Sequence, residues 1–301
     1  MLSFVIHYSV LFVICAKLLH HYQRSWILNG VIDISKQVAV VMPCHNAAET
    51  VVEAVASALQ QSAVSCIYIV DDASTDDSFG LLHNLASRYP SRIKVLQTPV
   101  KSGAAVARNW GVMHVNESIV AFLDADDVYR PHALDAAVMA FHCIPQLAMV
   151  RLPLHPWGVP EKYAAHEGFK RAWRSVEMTG AGNMVILKTV FLAAGGFPQD
   201  ALFRRFGGED AALGLALHDT VMVGTLFEDV GVLYRYKSGS HCQRLLNAHL
   251  FQHMPEGLLQ NHLDEANAVT ERIVQNLKRM SGVLAGSMGK VVPLLVEEAK
   301  A

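Results

Sequence analysis

The sequence predicts an α/β fold built on a mostly parallel central sheet with helices on both faces. Three observations carry that expectation. Short, nearly all-apolar runs alternate with longer segments of helical periodicity. The runs lack the polar alternation of a strand with one wet face, so they read as strands buried on both sides. The strand–helix order repeats three times before a fourth strand, which calls for right-handed crossovers between parallel neighbours.

Residues 38–42 (VAVVM) read as the first strand, stopped by Pro43. Residues 49–61 carry apolar positions at helical spacing, and 66–70 (CIYIV) form the second strand. Ser74-Thr75-Asp76-Asp77 looks like a capping box opening a helix towards Tyr89. Residues 93–97 give a third strand, 103–115 a helix and 119–123 (IVAFL) a fourth strand. Further on, 148–154 and 183–188 read as strands, 209–217 as a helix and 225–236 as a strand. The tail, 244–301, reads as two or three amphipathic helices broken near Pro255-Glu256-Gly257 and Ser281-Gly282.

Composition narrows the class. With 52% hydrophobic and 17% charged residues, the chain suits a packed enzyme and not a disordered segment. Basic and acidic residues nearly balance, 25 against 27, so the positive footprint that nucleic acid demands is missing. The five cysteines form no C-x-x-C pair, which argues against a disulfide framework or structural zinc and for free thiols in a reducing cytoplasm. Residues 2–16 are charge-free and apolar but fall short of the about 20 residues a spanning helix needs. They read as an interfacial or packed helix or an upstream extension, with a membrane anchor as the alternative. Lys17, Arg24 and Lys36 follow the run, so an anchor would leave the rest on the cytoplasmic side. The expected location is therefore cytoplasmic, the inner membrane face included.

In parallel α/β sheets ligands bind beyond the carboxyl ends of the strands. The first strand ends at Pro43-Cys44-His45-Asn46, the second at Asp71-Asp72, the fourth at Asp124-Ala125-Asp126-Asp127. So many carboxylates at one edge call for a compensating cation. Asp124-Ala125-Asp126 is the one D-x-D triplet, and hard divalent ions prefer such oxygens while keeping positions open for phosphates; a plain surface turn is the alternative. Asp71 and Asp72 can accept from a nucleotide base N–H, or Asp72 or Ser74 can cap the next helix. Glu209-Asp210 opens a helix, where its dipole favours acids. Trp157, Arg171, Trp173, Arg174 and the Thr179–Gly182 stretch line a ligand site or belong to the core. G-x-G-x-x-G, G-x-x-x-x-G-K-[ST] and G-x-S-x-G are all missing, which excludes the corresponding dinucleotide, P-loop and hydrolase readings.

Taken together, VAVVMPCHNAAETVVEAVASALQQ, CIYIVDDASTDDS, GAAVARNWG and IVAFLDADDVYRPHAL resemble the family 2 inverting glycosyltransferases of the GT-A fold, over about residues 38–240. The resemblance implies a GT-A domain at 38–240, divided into a nucleotide-binding half (38–130) and an acceptor and catalytic half (131–240). An apolar extension (1–37) precedes it and a helical tail (241–301) follows. It implies that Pro43, Asn46 and Asp72, with Asp71 beside them, line the nucleoside pocket. Arg108 would support the donor and Asn109 brace its loop. Asp124 would face the ribose or sugar, and Asp126 would ligate Mg²⁺ or Mn²⁺ bridging the diphosphate, with Asp124 as a further ligand. Asp210, tuned by Glu209, would be the general base of a single inverting displacement. Gly195-Gly196-Phe197 and Tyr234-Arg235 match later motifs, and Arg235 would sit on the departing diphosphate. His45, Lys101 and Lys237 depart from the family's usual aromatic, Asn and His; His241 is either an extra metal ligand or an ordinary exposed histidine. The implied reaction moves a sugar from a nucleotide-diphosphate sugar, UDP-linked foremost, to a glycan, lipid-linked or other hydroxyl acceptor in polysaccharide or glycoconjugate synthesis. No nucleic acid takes part, and peripheral membrane association is compatible. The alternatives are a sugar nucleotidyltransferase, which wants a Gly-rich basic loop not found here, and a non-catalytic nucleotide- or glycan-binding module.

Overall fold

The computed structural model describes residues 37–280 and 290–294. The expectation for residues 2–16 lies outside them. Among the described residues no helix is long and apolar enough to cross a membrane.

The first half alternates β1 (Val38–Cys44), α1 (Val51–Leu59), β2 (Val64–Asp71), α2 (Ser78–Arg88), β3 (Ile93–Gln97), α3 (Ala104–His114) and β4 (Ile119–Phe122). There follow β5 (Val128–Tyr129), α4 (Asp135–Cys143), β6 (Leu147–Arg151), β7 (Leu154–Trp157), α5 (Glu161–Ala164), α6 (Phe169–Thr179), β8 (Met184–Leu187) and α7 (Lys188–Ala194). The chain continues through α8 (Ala201–Phe206), α9 (Glu209–Thr220), β9 (Met222–Thr225), β10 (Val232–Arg235), α10 (His241–Phe251), α11 (Gln260–Met280) and β11 (Lys290–Pro293).

The main sheet has the order β11-β9-β6-β8-β4-β1-β2-β3. Every adjacent pairing is parallel except those of β8, which is antiparallel to both β4 and β6. The ends of β1, β2, β4 and β6 therefore share one edge, and the reversal of β8 brings its entry loop, residues 180–183, to that same edge. Val38 to Met42 are fully buried. Their alternation sends Val38, Val40 and Met42 into the layer with α1 and α4, and Ala39 and Val41 into the layer with α3, α7, α9 and α11. A second sheet, β5-β10-β7, hangs from the acidic turn after β4.

Some elements differ from expectation. Pro43 does not stop β1 but pairs with Val70 inside it. Val41 O accepts from Leu123 N and Cys44 O from Asp72 N, so Pro43 aims its donor-less nitrogen past the last β4 pair, where no ladder bond is lost. Ser74 caps nothing: its hydroxyl accepts from Asn46 N (3.0 Å), and Asp76 accepts from Ser78 N (3.0 Å). The run 148–154 breaks at Pro153 into β6 and β7, and 225–236 breaks into β9 of the main sheet and β10 of the small one. The tail region is helical, but residues 290–293 extend the main sheet instead of forming a helix.

Arg151, fully buried at the end of β6, ties together the elements that carry the site. Its Nη1 donates to Gly180 O and to Asn183 Oδ1 (3.0 Å), and its Nε donates to His218 Nε2 (3.4 Å) on α9. Burial pulls the guanidinium down to about 10. Burial, then the Arg151 charge, holds the His218 imidazole down to about 3. Between pH 3 and the ordinary histidine range near 6.5, the unfolded chain binds a proton on His218 that the native chain refuses. Stability contributed there is present above about 6.5 and drains away as pH falls towards 3, by at most about 1.4 kcal/mol per pH unit. Urea midpoints at pH 7, 6 and 5 should fall more steeply for the wild type than for His218→Gln; equal slopes would remove His218 from the acid sensitivity.

Candidate active site

Two loops at the β1 and β2 ends are zipped together. Asn46, in the left-handed region at φ 49°, accepts from Thr75 N (2.8 Å), and Ala47 N donates to Ser78 Oγ (2.8 Å). Asn tolerates this conformation better than most residues because its short side chain bonds locally. Asp71 is fully buried; its Oδ2 accepts from Gln97 Nε2 (3.1 Å), and its Oδ1 has no partner. Burial, then the nearby Asp71 charge, pushes the Cys44 thiol up to about 12, which makes Cys44 a packing residue and not a nucleophile. The Asp72 carboxylate is tied into the protein: it accepts from Thr98 Oγ1, Ser102 N and Gly103 N, each at 2.7 Å. Asp72 does not cap α2; it holds the turn that opens α3.

The β4 end builds the second group. Asp124, Asp126 and Asp127 each offer an oxygen within 4.8 Å of the others, the one such group of three among the described residues. A tight turn brings them together, with Asp127 N donating to Asp124 O (3.0 Å). Asp127 is 1% exposed; its Oδ1 accepts from Arg235 N (2.8 Å) while its Oδ2 is buried with no partner. Burial, then the charges of Asp126 and Asp124, hold its carboxyl well above the usual carboxylate range. Asp124 bonds Arg108 (2.6 Å), and Asp126 pairs with Lys237 Nζ (2.8 Å). Arg235 packs over the Trp157 ring at 3.8 Å, donates from Nε to Asp126 O (3.1 Å) and pairs with Glu53 (3.0 Å).

Arg108, 5% exposed on α3, bridges this group to the start of α9: its Nη1 lies 3.6 Å from Glu209. Burial opposes its charge, but Asp124, Glu209 and Asp210 outweigh burial and hold the guanidinium above its ordinary value. Burial, then the Asp210 charge, raises Glu209. Asp210 Oδ1 accepts from Ala211 N (2.8 Å), and His241 Nε2 lies 3.9 Å away. Asn109 braces the neighbouring loop, donating to Phe197 O (2.8 Å) and accepting from Phe197 N (2.9 Å). Gly196, at φ 74°, admits this: a Cβ there would lie 2.6 Å from Asn109 Oδ1.

Seven expected site residues, Arg108, Asp124, Asp126, Glu209, Asp210, Arg235 and His241, line one cleft of about 210 Å³. Pro43, Asn46, Asp71 and Asp72 lie outside that lining, at the neighbouring strand ends. His241 does not join the carboxylate group, and it is no ordinary exposed histidine either: its side chain is 30% exposed and both ring nitrogens are buried without a hydrogen bond. Sequence reasoning named Asp127 and Lys237 without giving either a role in the site. The first stood in plain view as the fourth residue of Asp124-Ala125-Asp126-Asp127; the second depends on a contact 111 residues away in sequence, which no local pattern reports.

The acidic turn at the β4 carboxyl edge and the start of α9, which opens on Glu209-Asp210, thus line one cleft of a mostly parallel α/β domain. The model of the family "Glycosyl transferase family 2" matches residues 39–197, and the chain belongs to that family. The succinoglycan biosynthesis protein ExoU of Rhizobium meliloti is 34% identical over 97 residues, which is 32% of this chain and 28% of ExoU. Matches to the curated relatives span about a third of those proteins' lengths. Among solved structures, Staphylococcus aureus TarS 1–349 in complex with UDP-GlcNAc aligns at TM-score 0.54 and 16% identity, over 82% of this chain and 73% of TarS 1–349. Mannosyltransferase PcManGT of Pyrobaculum calidifontis, in complex with GDP-Man and Mn²⁺, aligns at 0.52 and 20%, over 90% and 84%. These likenesses show the GT-A fold.

Proposed function

We propose that this chain is a metal-dependent inverting glycosyltransferase that moves a sugar from a nucleoside-diphosphate donor, UDP-linked foremost, to an acceptor hydroxyl in polysaccharide or glycoconjugate synthesis. The observation that carries the reading is the shared cleft, with the Asp124–Asp126–Asp127 group on one wall and Asp210 on another.

The carboxylate group fits a divalent cation. Three hard carboxylate ligands match Mg²⁺ or Mn²⁺ better than a soft metal, and the buried, unpartnered Asp127 Oδ2 leaves an acceptor unused within that group. Asp124, Asp126 and Asp127 would hold it, and when bound it supplies charge neutralisation to a diphosphate leaving group. Arg235 and Lys237 face the same cleft and add positive charge where the leaving group becomes more negative. Glu209 is raised and lies beside Arg108, so the two adjacent carboxylates divide their labour. Glu209 positions Arg108, and Asp210 receives the proton of the attacking hydroxyl. Displacement from the side opposite the diphosphate inverts the anomeric carbon. The reading places the chain in the cytoplasm, at the membrane face if its acceptor is lipid-linked.

Incubation with a panel of nucleotide sugars should release nucleoside diphosphate in the presence of Mn²⁺ or Mg²⁺. EDTA should abolish the release and added Mn²⁺ restore it. Pyrophosphate as the product would assign a nucleotidyltransferase instead, and a panel that neither reacts nor raises the melting temperature would sink the proposal.

A further inference from the structure

Behind Asp210 lies a second, larger cavity of about 320 Å³, within the roughly 300–1,000 Å³ range of small-molecule sites. It shares Glu209, Asp210 and His241 with the cleft that holds the carboxylate group. Arg204 and Arg205 of α8 and Arg244 of α10 line it too. Asp200 is the one further carboxylate of its lining, and Arg272 takes it with both oxygens, at 3.1 and 2.9 Å. Arg204, Arg205 and Arg244 form no ion pair among the described residues, so the cavity holds three guanidinium groups without carboxylate partners. Arg244 is fixed in place: Nη1 donates to Gly239 O (3.0 Å), and its Nη2 lies so close to Gly207 that a Cβ there would sit 2.7 Å from it. Arg244 Nε is buried with no partner, and so are both ring nitrogens of His241.

Uncompensated charge beside a cavity, with donors buried and unspent, is the arrangement that recognises an anion. Resting on the transfer reading above, we infer that this second cavity is the acceptor subsite and that it selects an acceptor carrying an oxyanion, phosphate or carboxylate, held by Arg204, Arg205 and Arg244. The acceptor hydroxyl then meets Asp210 at the boundary between the two cavities. Its oxygen forms a bond to the anomeric carbon as the bond from that carbon to the diphosphate oxygen breaks. The electron pair leaves on the nucleoside diphosphate, and the hydroxyl proton passes to Asp210. A neutral acceptor would leave the three guanidinium groups unanswered, so the cavity discriminates by charge as well as by shape.

The test measures binding of glucose 1-phosphate, methyl glucuronide and methyl glucoside to the full chain, by calorimetry or ligand-detected NMR. A charge-assisted contact contributes enough for the oxyanion sugars to bind at least about tenfold more tightly than methyl glucoside. The phosphate and glucuronide arms separate the two sources of the charge. Arg244→Gln should erase most of that preference; Arg204→Gln with Arg205→Gln, both at exposed positions, gives a second variant in case Arg244→Gln does not fold, with the melting temperature as control. Equal binding of charged and neutral sugars, or a preference that survives both variants, overturns the inference. Release of nucleoside diphosphate from a donor without any oxyanion preference would sink this subsite alone, whereas a chain that binds no nucleotide sugar at all would sink the transfer reading and the acceptor role with it.

Discussion

Asp210→Asn should lower turnover by about 10²–10⁴-fold while leaving donor affinity within about threefold, because a positioned general base contributes that much to a proton-transfer step. The substitution keeps the shape of the side chain and an oxygen that can still accept from Ala211 N, so the opening of α9 has no reason to move. What changes is the proton acceptor and the local charge. Asp210 helps to hold Glu209 above its ordinary value, so without it Glu209 relaxes downward, beside Arg108. Glu209→Gln is the companion measurement. If Glu209 only positions Arg108, its loss should weaken donor binding and turnover together, since Arg108 also bonds Asp124 at 2.6 Å. A Glu209→Gln enzyme that loses turnover alone, next to an active Asp210→Asn enzyme, would exchange the two roles.

The parallel core was legible because strands buried on both faces must be nearly all apolar, and VAVVM, CIYIV and IVAFL are. Their carboxyl ends then pointed to Asp71-Asp72 and to Asp124–Asp127 without further information. Strand direction was not legible in the same way. The β8 run is as apolar as its neighbours, yet it runs against both β4 and β6, and only that reversal lays residues 180–182 along the acidic turn. The capping alternative for Asp72 failed for a related reason: its partners Thr98, Ser102 and Gly103 lie 26 to 31 residues downstream, so a local capping rule pointed to the wrong helix. Arg151 did leave a trace, as the one charged residue within an apolar stretch, but its partners Asn183 and His218 come together only through the sheet order. Interactions between neighbours in sequence could be read from the chain; those made across the sheet edge could not.

The pair formed by Asp126 and Lys237 leads to the second large expectation, in which two substitutions of touching residues move metal affinity in opposite directions. Lys237 Nζ lies 2.8 Å from Asp126 Oδ2 with about half of the lysine side chain exposed, so the ammonium can swing away at little cost. Asp126→Asn removes a hard anionic ligand and should weaken Mn²⁺ binding by at least about a hundredfold, more than the 10–100-fold that loss of a residue supporting a ligand costs. Lys237→Met removes the cation that competes for the same oxygen, so Mn²⁺ should bind more tightly, by several-fold and more so at low salt, where the charge is less screened. Turnover should nevertheless fall in Lys237→Met, because the ammonium released from Asp126 faces the cleft in which diphosphate charge builds up. Calorimetric Mn²⁺ titrations and rates measured on the same preparations separate the two effects. Tighter metal binding with slower turnover is the result expected of a lysine that guards the carboxylates at rest and moves to the leaving group during reaction; weaker metal binding in Lys237→Met would show that the ion pair organises the acidic turn instead of competing for it.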